Sequence, residues 1–234
     1  MRLTVVAVST QEIRYTADGL VMIVSSRILM LRISLLLLSV VSINVFAVTE
    51  AVDIYSDQQL ISLIRSNQYL QRVKADDCQL VQDIEARAEV LQQPMYQFLW
   101  GEMLNNGVCV KAHPSRGMAL LQTAAEQGSP EAMVKLADYY YRGKLVVKDP
   151  NRAVQYVLPA AANGDLTAKM ILVRLFGQGY GSPADYELGY HWLYNSIFDD
   201  DAQQKKASSL LQMLAAKMPA SIVARAQQPQ LYTR

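Results

Sequence analysis

The sequence carries few of the side chains that do chemistry. Two Cys and two His among 234 residues are too few for a tetrahedral zinc site unless carboxylates join them. No Ser-x-x-Lys, Gly-x-Ser-x-Gly or His-Glu-x-x-His occurs, so the usual signatures of acylating enzymes and zinc hydrolases are missing. There is no basic excess: 22 Lys and Arg stand against 21 Asp and Glu, a net charge of +1. General attraction to nucleic acid needs such an excess. Eleven Gly and eight Pro exclude collagen-like and Pro-rich disordered chains. The reading is therefore of a chain without catalytic residues, metal ligands, cofactor or small-molecule substrate. Its 51% of hydrophobic residues are enough to build a core.

Charge is absent altogether from one stretch, Ile33–Val48, with Arg27 and Arg32 before it. Sixteen residues fall short of the roughly 20 that a spanning helix needs. The run ends Val45-Phe46-Ala47, with small residues where signal peptidase requires them, and no Cys follows to accept a lipid. Residues 1–47 thus read as a secretory signal cleaved after Ala47; an uncleaved anchor is the alternative. Glu12 and Asp18 are foreign to the start of such a signal, so Met22 or Met30 fits better as its beginning. Removing residues 1–47, with four basic and two acidic side chains, leaves 18 and 19 in a mature chain of 187 residues.

The mature chain repeats itself at 36 residues. Leu104, Tyr140 and Phe176 fall in register, as do Gly107, Gly143 and Gly179, and then Leu120, Tyr156 and Trp192. The first two copies also share Pro114/Pro150, Arg116/Arg152, Ala124/Ala160, Ala125/Ala161 and Gly128/Gly164. Each copy reads as two helices, over 94–105, 130–142 and 166–177, then 115–127, 150–163 and 184–198. Met133, Leu136, Ala137 and Tyr140 have the i, i+3, i+4, i+7 spacing of one helix face. Gly143 stands where a left-handed C-cap ends a helix, and Asp149-Pro150 supplies N-cap and N1 for the next. His113-Pro114 fills the same slots one repeat earlier. A lone hairpin of this kind cannot bury its apolar face, so the copies stack. The expected fold is all-α, an α-solenoid of about three 36-residue hairpins over 94–199. A helical segment over 48–93 precedes it, with helices near 57–66 and, capped by Asp77, from Cys78 to Leu91. A helical cap over 200–234 follows. No strand is expected in the mature chain.

Export places the two Cys in an oxidising compartment. The helix from Cys78 and its antiparallel successor return Cys109 to the neighbourhood of Cys78, so a Cys78–Cys109 bridge is expected, with two free thiols, or redox or metal chemistry, as the alternatives. Closing this loop stabilises by about 3.7 kcal/mol through chain entropy. Gly177, Gly179 and Gly181 superficially resemble a phosphate-binding loop, but they follow a helix rather than a strand and read as a turn. Asp199, Asp200 and Asp201 could attract a cation; the plainer reading is a solvated loop that caps the next helix. Tyr139, Tyr140 and Tyr141 span about 200° of helix azimuth and cannot all face the core. They are candidate interface anchors, with partial burial beneath the next repeat as the alternative.

The 36-residue spacing, with its Asp-x-x-Arg-Ala and Ala-Ala-x-x-Gly positions, resembles Sel-one-like repeats, relatives of the tetratricopeptide class. Four further stretches lie between the repeats or modify them: 70–88 (LQRVKADDCQLVQDIEARA), 98–110, 180–196 and 218–226. Through these, the chain from about Ala51 to its end resembles the MotX family of sodium-driven polar flagellar motors. That resemblance implies a periplasmic, non-enzymatic scaffold that builds the T ring with MotY. It also implies that this collar recruits or holds the PomA/PomB stator complex, PomB included, and that the chain carries no sodium itself. The segment before the first repeat and the exposed aromatics are then candidate contact surfaces. The competing readings are a secreted repeat protein acting as a cell-envelope hydrolase, and an envelope adaptor unrelated to motility.

Overall fold

A computed structural model describes residues 55–229 and, as backbone, three short segments near the start of the chain. The latter are strands β1 (Val6–Val8), β2 (Glu12–Ala17) and β3 (Leu20–Ser25), paired antiparallel in the order β1-β2-β3. They belong to a unit of their own, Met1–Val52. Their register pairs Ala17 with Leu20. The sequence reading had no strand here; the apolar run, the cleavage site and the candidate start Met30 lie outside the described residues.

The second unit is helical. Its first three helices are α1 (Asp57–Arg65), α2 (Tyr69–Ala75) and α3 (Val81–Glu89). The hairpins follow as α4 (Pro94–Asn106) with α5 (Pro114–Glu126), then α6 (Pro130–Arg142) with α7 (Pro150–Ala162). In the third, α8 (Leu166–Gly177) pairs with a 3₁₀ turn, Pro183–Asp185, that continues as α9 (Tyr186–Tyr194). Helices α10 (Asp201–Ala215) and α11 (Ala220–Ala226) close the stack. Strands are absent from residues 55–229, and this unit is the expected all-α solenoid.

Local chemistry sets the helix ends. Pro occupies the first turn of α4, α5, α6 and α7, where its missing N–H costs nothing. His113, Ser129, Asp149, Asp165 and Asp200 each accept a backbone N–H at the start of a helix, so the Asp199–Asp201 run caps α10. Gly107 and Gly143 end α4 and α6 in the left-handed region, at φ 63° and 73°. Cys109 and Leu145, equivalent across the 36-residue shift, are also left-handed, at φ 60° and 64°.

Two boundaries differ from the sequence reading. The helix expected from Cys78 begins at Val81, because Asp77 and Cys78 are left-handed at φ 51° and 58°. That turn carries Cys78 towards Cys109 at the cost of one helical turn, and a separate helix, α2, forms before it. The last second-helix stops at Tyr194 rather than 198.

Small residues let the helices of a hairpin touch. A Cβ on Gly117 would lie 2.5 Å from the Gly101 carbonyl oxygen, and one on Gly101 would lie 2.8 Å from that of Gly117. The second hairpin has Ala137 and Ala153 at these positions, both buried. Gly117→Ala must therefore push α4 and α5 apart. The expected loss is about 1–3 kcal/mol, read from the denaturant midpoint; an unchanged midpoint contradicts the close approach.

Candidate functional site: the cap–repeat seam and the exposed edges

Glu102, one turn before the end of α4, is 1% exposed yet carries a carboxylate. It sits in the apolar run Phe98-Leu99-Trp100-Gly101-Glu102-Met103-Leu104, where a charge needs partners on every side. Tyr69 on α2 donates its hydroxyl to Oε2 at 2.7 Å, and Tyr139 on α6 donates to Oε1 at 2.5 Å. Asn105 adds an amide N–H to Oε1 at 3.2 Å. The Lys135 ammonium stands 3.5 Å from Oε2, donates to the Tyr69 hydroxyl at 2.8 Å, and lies over the Tyr69 and Phe98 rings. Three elements meet on one carboxylate: the N-terminal cap, the first repeat and the second.

Burial and the neighbouring Glu102 charge push the Tyr69 and Tyr139 phenols well above the usual tyrosine range. Both therefore stay protonated and keep donating. Other contacts fasten the same cap. Cys78 and Cys109 form a disulfide with Cα atoms 5.5 Å apart. The Tyr96 hydroxyl donates to the Tyr55 carbonyl at 3.0 Å. Arg116 on α5 pairs with Glu89 and Glu85 on α3, at 2.7 and 3.4 Å, while Trp100 Nε1 donates to Glu89. Arg65 at the end of α1 reaches Asp165, the cap of α8, at 3.6 Å.

The three tyrosines separate as the helix azimuth requires, though mostly inward. Tyr139 and Tyr140 are only 1% and 7% exposed, which corrects their place among the interface anchors. Tyr139 is drawn in by Glu102; Tyr140 stacks on Tyr156, with ring centroids 5.3 Å apart. Tyr141 is half-buried, beneath the Arg174 guanidinium at 5.2 Å. Each ring faces a cation, with Lys144 over Tyr139 and Arg152 over Tyr140.

The histidines have structural places. His113 Nδ1 accepts the Arg116 N–H at 3.2 Å, and His191 Nδ1 donates to the Ala226 carbonyl at 2.9 Å, holding α11. Gly179 and Gly181 are left-handed turn residues after α8. Among the described residues no three His, Cys, Asp or Glu gather as a metal would require. The sequence reading missed Glu102; its signal was a lone carboxylate inside an otherwise apolar helix.

The Sel1 repeat family matches residues 94–129, 130–165 and 174–196: the first two hairpins, and the third from the end of α8 through α9. The protein is thus a Sel1-repeat α-solenoid with helical caps. The sodium-type polar flagellar protein MotX of Vibrio parahaemolyticus serotype O3:K6 is 44% identical over 200 residues, spanning 85% of this chain and 95% of the relative. The chain belongs to this family of polar flagellar motor proteins. Among solved structures, a Sel1 repeat protein from Oxalobacter formigenes matches at 23% identity and a TM-score of 0.44, over 62% of this chain and 96% of its own. A protective antigen of uropathogenic Escherichia coli with an SLR fold matches at 17% and 0.45, over 70% and 42%.

Replacing Glu102 by Ala leaves two phenols and an ammonium without their acceptor. The expected cost is about 3–5 kcal/mol, with Glu102→Gln losing less; a loss below about 1 kcal/mol contradicts the seam. A phenol whose pKa is raised on folding contributes stability that is fully present below the unfolded value near 10 and lost as pH rises. Unfolding free energy should therefore fall from about pH 10 upward. A Tyr69→Phe/Tyr139→Phe variant should show a shallower fall in the same titration.

Proposed function

We propose that the chain is an exported, non-enzymatic scaffold of a sodium-driven polar flagellar motor. With MotY it forms the T ring, a periplasmic collar on the basal body, and there it recruits or holds the PomA/PomB stator through PomB. One observation carries this reading. The similarity to a sodium-type polar flagellar protein extends over 200 residues, far beyond the matched repeats, so it takes in the segments that distinguish this chain from a generic repeat array.

The apolar run Ile33–Val48 and the Val45/Ala47 pattern support export, with residues 1–47 as the leader. No helix among the described residues is long and apolar enough to cross a membrane. A stiff stack of hairpins offers a preformed surface, so binding costs little ordering entropy. Tyr141 and the cap over 55–93 are the surfaces offered to partners. The role asks for no cofactor and no small-molecule substrate.

Deleting the gene should leave filaments assembled but paralysed. Missing filaments, or normal swimming, contradict the proposal. Basal bodies isolated from cells with MotY should retain this chain, and those from cells lacking MotY should lose it.

A further inference from the structure

The cap shows what the outer side of the first helices can hold. Helix α2 lies on α4 with Tyr69 and Val73, one helical turn apart, both buried. The Tyr69 ring meets Phe98 edge-on, with centroids 5.4 Å apart, and its hydroxyl donates to Glu102. Phe98, Leu99 and Glu102 thus receive a helix turn with two apolar side chains and one charge. A step of 36 residues carries these positions to Val134, Lys135 and Asp138 on α6, and a second step to Met170, Ile171 and Arg174 on α8. The third repeat keeps the apolar pair and reverses the charge.

On α8, Thr167, Met170, Ile171 and Arg174 fall within about 100° of azimuth. That side is turned away from the buried Ala168, Leu172, Leu175 and Phe176. Thr167 is exposed and the other three are half-buried, so the cap leaves this side open. Val134 and Tyr141, both half-buried, extend the apolar floor onto α6.

The charges along this floor are answered within the chain, with one exception. Lys135 stands against Glu102 at 3.5 Å, and Asp138 against Arg142 at 2.7 Å. Arg174 lies over the neutral Tyr141 ring, and no carboxylate among the described residues pairs with it. Its Nε is closed off from solvent and has no acceptor. A guanidinium presents its donors in a fixed planar fork that matches a carboxylate.

We propose that the floor over α6 and α8 is a docking groove for an amphipathic helix of another protein. The helix lays apolar side chains on Val134, Met170 and Ile171, as helices do in apolar grooves. Its Asp or Glu takes the place that Tyr69 holds in the cap and pairs with Arg174. The occupant is acidic because the one unanswered charge of the floor is positive. A neutral or basic helix would cover the Arg174 donors and leave them without an acceptor, which costs binding energy. This docking goes beyond the motor role and is tested on the purified chain, whatever part the chain plays in a motor.

Panning the full-length oxidised chain against phage-displayed random peptides of about 16 residues, long enough to form a helix, provides the test. Enriched peptides should place Asp or Glu three or four positions from Leu, Ile, Met or Phe. Such a peptide, made synthetically, should bind Arg174→Gln about tenfold more weakly or worse. Changing the peptide's own acid to its amide should cost a similar factor. Arg174→Glu should abolish binding, and a peptide with Lys in place of the acid should recover it on that variant. Thr167→Glu leaves the guanidinium and the Tyr141 ring in place and should also weaken binding. Circular dichroism checks that each variant folds. Basic or purely apolar enriched peptides, no enrichment at all, or acidic peptides that bind Arg174→Gln and Thr167→Glu unchanged would each overturn the proposal.

Discussion

A carboxylate buried in an apolar stack has to be answered on every side, and Glu102 is answered by three separate stretches of chain. Tyr69 comes from the cap, Asn105 from its own helix, and Tyr139 with Lys135 from the next repeat. Together these partners offset the cost of desolvating a carboxylate, which is several kcal/mol. Repeat arrays are ordinarily held by contacts between neighbours alone. Here one residue makes cap, first repeat and second repeat depend on each other. The disulfide between Cys78 and Cys109 acts on the same seam by shortening the unfolded loop.

This seam also accounts for which surfaces remain open. The cap covers the first repeat, so Phe98, Leu99 and Glu102 are buried there. The equivalent positions in the second and third repeats, Val134, Lys135, Asp138, Met170, Ile171 and Arg174, are only half-buried.

Periodicity made the hairpins legible, since Gly107, Gly143, Pro114 and Pro150 punctuate helices whose apolar faces are regular. The start of α7 follows directly from Asp149-Pro150. Legibility failed where tertiary demands override local preference. Asp77 looked like a helix cap, but the bridge to Cys109 requires left-handed backbone at Asp77 and Cys78, which delays α3. Tyr139 looked like a surface anchor because its partner, Glu102, lies 37 positions away. Sequence spacing shows which helix face a residue occupies but not which distant carboxylate that face meets.

Native-state hydrogen exchange on the oxidised full-length chain measures most directly whether the cap and the first two repeats form one unit through Glu102. The account predicts that amides in α2, α4 and α6 open with a common free energy. In a Glu102→Ala chain with the disulfide intact, α2 should open well before α6. If α2 in the wild-type chain already exchanges independently of α4 and α6, the buried carboxylate does not couple them.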